Sequence, residues 1–169
     1  MINLTISEAM TAADGQLVHC EDPAYIGDMF IEGITLDSRK VKPDWLFIAD
    51  KGERADGHDY VESARRSGAA AAVVEHELDI PIPQILVENS LRAMQRIAGY
   101  IREKSGVKVI GVVGSVGKTS TRHMLSCVLE QKFSVLSTEG NFNNEYGLPQ
   151  TFFRLEPHHE LAVVEMGIS

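Results

Sequence analysis

Apolar and polar positions change their spacing along this chain in a regular order. Short apolar runs predict buried strands, and longer segments with apolar residues every three or four positions predict helices. The predicted strands cover residues 31–36, 45–49, 70–74, 84–87, 107–113, 133–136 and 161–165. The predicted helices cover residues 6–13, 59–67, 90–101, 118–130 and, as a single turn, 149–153. Strands that alternate with helices in this way predict an α/β fold with parallel layers.

Local signals mark the ends and the buried faces of these helices. Thr5 and Glu8 have the spacing of a capping box, and Gly15 would stop the helix that they open. Ser90 is the expected cap of the long helix. Its apolar face comprises Leu91, Met94, Ile97, Ala98 and Ile101. The apolar face predicted for the helix at 118–130 comprises Met124, Leu125, Val128 and Leu129.

The charged, small-residue segment at 103–106 is the predicted domain boundary. Residues 1–105 contain enough strands and helices for a small α/β domain. Residues 106–169 contain about three strands and two helices, which are few for a parallel sheet that needs both faces covered. We therefore expect a complete small domain, followed by the opening part of a larger domain with a mostly parallel sheet.

Composition excludes several classes of protein. The chain has 169 residues, is 44% apolar and carries a formal net charge of −8, as soluble globular proteins often do. The acidic balance argues against nucleic-acid binding, which needs clustered lysine and arginine. No apolar run is long enough to cross a bilayer, and the first residues lack the features of a signal peptide. Cys20 and Cys127 show no metal or redox spacing, so a cytoplasmic protein with free thiols is expected.

The most informative segment joins the strand at 107–113 to the helix at 118–130. It contains Gly114-x-x-Gly117-Lys118-Thr119, in which the glycines allow backbone N–H groups to surround a phosphate at a helix N-terminus. Lys118 would reach the outer phosphates of a nucleoside triphosphate, and the Thr119 hydroxyl would help to hold Mg²⁺. The longer phosphate-loop pattern is incomplete, because Val112 stands at its first glycine. The alternative is a glycine turn with a solvated lysine.

Glu165 ends the apolar run at 161–165. Ligands of open parallel sheets bind at the carboxyl ends of the strands, which is where this side chain is expected. Its carboxylate could complete the oxygen shell of Mg²⁺ that Thr119 begins. The alternative is an exposed glutamate at the end of a strand.

Three further polar loops are candidate binding segments. Residues 140–147 include three asparagines, whose amides suit phosphate or sugar oxygens, although asparagine is equally typical of turns. The loops at 37–39 and 52–58 each follow a predicted strand, so both are expected at the ligand-binding edge of one sheet. The alternative for these two loops is a salt-bridged structural corner. His58 is expected to help start the next helix rather than to act as a base.

These segments together resemble the Mur ligases of peptidoglycan synthesis. The similar motifs are residues 114–121, 140–149 and 164–167, and residues 36–39 and 51–58 are similar to the uridine-nucleotide domain of the family. The resemblance extends from about residue 31 to residue 169. Val113 and Val116 depart from the residues common in the family, but neither position supplies an obligatory side-chain ligand.

The resemblance implies an ATP-dependent amide ligase that uses ATP and Mg²⁺. ATP would phosphorylate the terminal carboxylate of UDP-N-acetylmuramoyl-tripeptide, and the amine of D-alanyl-D-alanine (D-Ala-D-Ala) would attack the acyl phosphate. The implied ATP-binding residues are Gly114, Ser115, Val116, Gly117, Lys118, Thr119 and Ser120, with Lys118 and Glu165 catalytic and Thr119 and Glu165 as metal ligands. The implied substrate-binding residues are Leu36, Ser38, Glu53, Arg54, Ala55, Asn143 and Asn144.

Family members continue with the rest of an ATPase domain and with a third domain. The chain is therefore expected to be an N-terminal portion that has no turnover by itself, and to be a monomer that enters no membrane. Two alternatives stay open. One is the related ligase that adds the third amino acid, against which residues 141–145 argue. The other is a noncatalytic module that binds a UDP-sugar or a protein partner.

Overall fold

A computed structural model describes residues 1–52 and 55–167. The chain forms two compact units, Asn3–Ile97 and Met1–Ile2 with Ala98–Ser169. The division falls inside helix α4 (Ser90–Ser105), and the domain boundary at 105–106 stays a prediction. Over the described residues, no helix is both long enough and apolar enough to cross a bilayer.

The unit of Asn3–Ile97 is built on a five-stranded sheet with the order β2-β7-β6-β5-β4. The strands are β2 (Gln16–Val18), β4 (Gly33–Thr35), β5 (Trp45–Ile48), β6 (Ala71–Val74) and β7 (Gln84–Leu86). Strands β4 to β7 pair in parallel, whereas β2 pairs antiparallel with β7. A separate antiparallel pair joins β1 (Leu4–Thr5) to β3 (Phe30–Ile31). The α/β class with parallel strands is confirmed.

The single strand predicted at 31–36 is wrong, because β3 and β4 belong to two different sheets. Glu32 lies exposed between them, and its backbone N–H donates to the Asp44 carbonyl at 2.9 Å. The sequence pattern also misses β2 and helix α2 (Pro23–Gly27), which have three and five residues. Elements of that length are too short for a hydrophobic period to show.

The capping box predicted before helix α1 (Ile6–Ala13) is confirmed. Thr5 Oγ1 accepts the Glu8 N–H at 3.2 Å, and the Glu8 carboxylate accepts the Thr5 N–H at 3.0 Å. The helix ends at Ala13, as predicted, and Asp14 is its C-cap residue in the left-handed conformation. Helices α3 (Val61–Arg66) and α4 also form where the sequence predicts them, and a 3₁₀ turn at Gly57–Tyr60 precedes α3.

The core of this unit positions two loops at one edge of the sheet. Phe47 on β5 packs with Val61 and Ala64 of α3 and with Val74 of β6, and all four side chains are at most 1% exposed. Because β4 and β5 are parallel neighbours, their carboxyl ends meet at the same edge. The segments that follow them, which include Ser38 and His58, therefore start from that edge, as the sequence predicts.

The other unit holds a three-stranded parallel sheet with the order β8-β10-β9. Its elements are β8 (Lys108–Val112), α5 (Lys118–Leu129), β9 (Val135–Ser137), α6 (Gly147–Phe152) and β10 (Leu161–Glu165). The three strands and two helices expected here are confirmed. β10 is central, and its register places Glu165 beside Val112, the last residue of β8. The carboxylate and the start of the glycine loop therefore share one edge of the sheet.

The face of α5 that turns to the sheet differs from the predicted one. Met124 and Val128 are 70% and 69% exposed, so their predicted burial is wrong. Ser126 is buried instead, and its hydroxyl donates to Ser137 Oγ of β9 at 3.0 Å. The other two residues of the predicted face, Leu125 and Leu129, are half-buried, so that prediction holds only in part.

Candidate functional site

The loop between β8 and α5 has the backbone of an anion-binding turn. Gly114 and Gly117 have φ values of +151° and +79°, which residues with a Cβ atom rarely adopt. Gly117 is the N-cap residue of α5, and no side chain of the described residues caps the helix there. The first N–H groups of α5 thus keep the capacity to bind an anion. Val116 is 91% exposed, so its side chain does not fill the loop.

The Lys118 ammonium lies over this loop. Its Nζ donates to the Gly114 carbonyl at 2.7 Å, across the turn that the two glycines make. A positive charge and uncapped helix N–H groups therefore lie at the same place. Such an arrangement favours a phosphate over a neutral ligand.

Glu165 faces the start of α5 and is held on three sides. Its Oε2 accepts the Thr119 hydroxyl at 3.0 Å, and its Oε1 accepts the Asn143 amide at 2.9 Å. Its backbone N–H donates to Thr138 Oγ1 at 3.0 Å. The residue is only 3% exposed, so the alternative of an exposed strand-end glutamate does not describe it.

Glu165 is set to remain a carboxylate although it is buried. Burial raises its pKa, but hydrogen bonds from Asn143 and Thr119 and the charges of Arg122 and Lys118 outweigh that effect and lower the pKa below its usual value. An ionised carboxylate beside a hydroxyl is a chemically sound partial shell for a hard cation.

Magnesium fits these donors. Mg²⁺ prefers oxygen ligands, takes few of them from the protein and completes its shell with water and phosphate oxygens. Thr119 and Glu165 supply two such oxygens 3.0 Å apart. Within the described ranges, no group of three or more His, Cys, Asp or Glu residues could hold a metal. Water and phosphate oxygens would supply the rest of the shell of a cation held by Thr119 and Glu165.

The two asparagines predicted to bind substrate have different surroundings. Asn143 contacts Glu165 through its side chain, and its carbonyl accepts the Gly167 N–H at 2.6 Å. Asn144 instead accepts the N–H groups of Tyr146 and Gly147 at 3.2 and 2.8 Å. The Asn144 side chain thus shapes the turn before α6, as in the alternative interpretation of this loop.

The unit of Asn3–Ile97 contains a pocket of about 540 Å³ at the edge of its sheet. Its lining residues are Leu36, Asp37, Ser38, Arg39, Phe47, Ala55, Tyr60 and Ser63. Three of the predicted substrate-binding residues, Leu36, Ser38 and Ala55, therefore line one pocket. Two others, Glu53 and Arg54, lie outside the described residues.

Some of the polar residues beside this pocket form a salt-bridged structural corner. Arg39 forms a two-pronged ion pair with Asp37, with Nε–Oδ1 and Nη2–Oδ2 distances of 2.8 and 2.9 Å. This hydrogen bond with the Arg39 side chain is the main reason why the pKa of Asp37 falls to about 2. His58 is buried, lies 2.6 Å from Asp56 through Nδ1 and accepts the Glu75 N–H at 2.9 Å. His58 lies within the 3₁₀ turn Gly57–Tyr60 before α3, and the residue that caps this turn is Asp56.

Sequence reasoning misses several residues around Glu165. Arg122 and Ser137 lie behind it, and Thr138 holds its backbone. Arg122 follows Lys118 by one helical turn, so the i, i+4 spacing could have indicated it. Ser137 and Thr138 come at the end of β9, and only the strand order β8-β10-β9 brings them next to β10.

Comparisons with known proteins give matches over nearly the whole chain. A model described as the Mur ligase family, catalytic domain, matches residues 30–113, and a model of the Mur ligase middle domain matches residues 112–169. The UDP-N-acetylmuramoyl-tripeptide–D-alanyl-D-alanine ligase of Escherichia coli K12 is 37% identical over 167 residues, which cover 99% of this chain and 35% of that protein. The chain spans about a third of the length of the curated relatives it matches.

Two solved structures are also similar. A crystal structure of MurF from Acinetobacter baumannii has a TM-score of 0.90 and 34% identity, and the match covers 98% of this chain and 36% of that one. MurF ligase from Thermotoga maritima, in complex with ADP, has a TM-score of 0.71 and 39% identity over 79% of this chain and 31% of that one.

Proposed function

The chain belongs to the Mur ligase family, and from that membership we propose that it supplies the nucleotide site and the uridine-diphosphate site of an ATP-dependent amide ligase. The proposed substrates are ATP, UDP-N-acetylmuramoyl-tripeptide and D-Ala-D-Ala. The observation that carries the proposal is the contact of Glu165 with Thr119 at the first turn of the glycine-loop helix. The identity of 37% to the D-alanyl-D-alanine ligase of Escherichia coli supports this choice of substrates.

The proposed reaction has two steps. A terminal carboxylate oxygen of the tripeptide attacks the γ-phosphorus of ATP, the bond to the β–γ bridging oxygen breaks, and ADP leaves. The amine nitrogen of D-Ala-D-Ala then attacks the acyl carbon and loses a proton, and inorganic phosphate leaves with the electron pair of the broken C–O bond. Positioning and neutralisation of charge supply most of the catalysis in such phosphoryl transfers.

The described residues suit the first of these steps. The loop amides would bind the ATP phosphates, and Lys118 would exchange the Gly114 carbonyl for a phosphate oxygen. Thr119 and Glu165 would hold Mg²⁺, which when bound neutralises charge on the phosphate oxygens. Asn143 keeps the Glu165 carboxylate turned towards Thr119. In this proposal Lys118 and Glu165 are the catalytic residues of the chain.

The pocket of the unit Asn3–Ile97 is the proposed site of the uridine diphosphate. Leu36, Ser38 and Ala55 line it, and the predicted residues Glu53 and Arg54 directly precede Ala55 in the sequence. The aromatic ring of Tyr60, which is 45% exposed, adds an apolar wall at the same pocket. We propose that residues 1–105 serve UDP binding and residues 106–169 serve ATP binding.

Calorimetry on the chain with two single-residue variants tests this division. Mg-ATP and UDP-N-acetylmuramoyl-tripeptide are titrated separately into wild type, Lys118→Ala and Ala55→Glu. Lys118→Ala should weaken Mg-ATP binding by about 10- to 100-fold, because a charge-assisted hydrogen bond contributes about 1.5–3 kcal/mol, and should leave the UDP ligand unaffected. Ala55→Glu should do the reverse, because its carboxylate would repel the diphosphate.

Each variant is the matched control of the other. Loss of both ligands in one variant would indicate unfolding, which circular dichroism would show. Binding of the UDP ligand without Mg-ATP binding in the wild type would favour the noncatalytic module. Failure of both ligands to bind the folded wild type would contradict the proposal.

A further inference from the structure

Arg122 is a buried arginine that the proposed reaction does not use. It lies on α5, one turn after Lys118, and its side chain is 13% exposed. Its Nη1 donates to Ser137 Oγ at 2.9 Å, and that hydroxyl also accepts Ser126 Oγ at 3.0 Å. These bonds fix the guanidinium to β9, behind the Glu165 carboxylate.

The Nε atom of this guanidinium lies near Glu165 and forms no hydrogen bond with it. Arg122 Nε lies 3.7 Å from Glu165 Oε2, which is beyond hydrogen-bond distance. Among the described residues, Nε is the buried side-chain nitrogen or oxygen that has no hydrogen-bond partner. The Thr119 hydroxyl, at 3.0 Å, bonds the same carboxylate oxygen. The positively charged guanidinium is therefore held beside the Glu165 carboxylate, while the hydrogen bond to that carboxylate oxygen comes from Thr119.

We propose that Arg122 is a positioning residue that makes divalent-cation binding at Thr119 and Glu165 conditional on bound nucleotide. This inference rests on the proposed function, because it takes Thr119 and Glu165 as the cation ligands. Arginine keeps its charge at any working pH, so Glu165 always faces a positive neighbour. A free divalent cation must approach against that charge, in a buried site where screening is weak.

Nucleotide phosphates reverse this balance. They bring several negative charges to the loop at Gly114–Lys118, next to the turn of α5 that carries Arg122. The guanidinium then attracts the phosphates while they offset its repulsion of the cation. Arg122 thus weakens the binding of a divalent cation in the absence of nucleotide and strengthens the binding of the nucleotide. The divalent cation then binds tightly only when the nucleotide phosphates are present.

The test measures Mn²⁺ alone by electron paramagnetic resonance, and ATP alone in EDTA by calorimetry. Arg122→Met should bind Mn²⁺ about 5- to 30-fold more tightly than wild type and ATP in EDTA several-fold more weakly. Arg122→Lys keeps the charge and should restore both values towards wild type. Arg154→Met removes an exposed arginine paired with Glu139 in the same unit and should change neither value.

A purely structural arginine gives a different result, because loss of the folded site would weaken Mn²⁺ binding at Thr119 and Glu165, and circular dichroism shows whether Arg122→Met is folded. Unchanged or weaker Mn²⁺ binding in folded Arg122→Met would overturn the inference. Arg122→Gln is a second neutral variant, with a polar rather than an apolar side chain, and the same gain is expected of it. If wild type binds no Mg-ATP, the proposed function fails. If it binds Mg-ATP and both neutral variants bind Mn²⁺ as wild type does, only the role of Arg122 fails.

Discussion

Among single residues, Asp37 makes a contribution to stability that depends on pH. Its folded pKa, about 2, lies below the ordinary value of 3.8, mainly through the Arg39 side-chain hydrogen bond. A lowered carboxyl pKa stabilises the fold above the ordinary value, and this stabilisation is lost as the pH falls from about 4 to about 2. Because the Arg39 side chain is 86% exposed, solvent screening limits the contribution to about 1 kcal/mol or less.

Asp37→Asn isolates this charge, because an asparagine oxygen can still accept the Arg39 N–H that Asp37 accepts at 3.1 Å. Urea denaturation should find the variant less stable than wild type by up to about 1 kcal/mol at pH 6, with the difference vanishing near pH 2. Arg39→Met removes the other partner of the same ion pair. The destabilisation that it causes should disappear over the same pH range. A difference that stays constant from pH 2 to pH 6 would exclude the ion pair as its cause.

Only some single residues of the candidate site could be predicted from the sequence. Thr119 and Glu165 could be predicted as neighbours, because each follows from a rule about where parallel strands end and helices begin. Asn143 could be predicted only as part of a polar loop, and Asn144 looks the same in sequence although its side chain bonds its own turn. The i, i+4 spacing places Arg122 on the same side of the helix as Lys118, but its contact with Ser137 could not be predicted, because Ser137 lies on another strand.

At the scale of elements, the loop before α6 depends on a close backbone approach at Gly147. A Cβ atom there would lie 2.3 Å from Phe142 Cα and 2.5 Å from its carbonyl carbon, so the backbone itself would have to move. Gly147→Ala should therefore destabilise the chain by about 1–3 kcal/mol in urea denaturation. The displaced segment adjoins Asn143, so Mg-ATP binding should weaken as well.

Gly99 in α4 is the matched control. Apart from its chain neighbours and the backbone of its own helix, a Cβ atom there would meet no heavy atom of the described residues within 4 Å. Alanine inside an exposed helix is favoured over glycine, so Gly99→Ala should stabilise the chain by about 0.5–1 kcal/mol. Equal effects of the two substitutions would refute the close approach at Gly147.

Elements were predictable where one local signal dominates. The capping box of α1 and the long amphipathic face of α4 both form as expected, since each is encoded within a few turns of one helix. The buried face of α5 was predicted only in part, because Met124 and Val128 are exposed while Ser126 is buried and bonds to β9. The sequence of the helix alone does not reveal this hydrogen bond, because its partner Ser137 lies on another strand.

At the scale of the whole molecule, alternating strands and helices were sufficient to predict sheets of mostly parallel strands. The order of the strands was not, because a hydrophobic run indicates burial without naming its neighbours. In the sheet β8-β10-β9, the last strand lies in the centre. That insertion brings Glu165 between the glycine loop and Thr138, so the candidate site depends on a topology that the sequence implies only through the family resemblance.

The described residues around the glycine loop suit only the phosphate and cation part of the proposed reaction. Amide ligation requires ATP, a carboxylate and an amine to be held together, since positioning supplies most of the catalysis. Around the glycine loop, the described residues offer Lys118, Thr119 and Glu165 for the phosphates and one cation. In the proposed function all three of these groups are engaged by the phosphates and the cation, so none of them is left to orient an amine. We therefore expect no sustained turnover from these 169 residues alone.

Phosphate release from ATP, UDP-N-acetylmuramoyl-tripeptide and D-Ala-D-Ala measures this directly. The background is set by a mixture without D-Ala-D-Ala and by Lys118→Ala, which lacks the proposed phosphate-binding ammonium. The wild-type chain should stay at that background. Release over many turnovers that requires D-Ala-D-Ala, and that Lys118→Ala abolishes, would mean that the chain positions the amine by groups other than those around Glu165. The substrate-binding role would then have to be sought among the remaining polar residues of the two sheet edges.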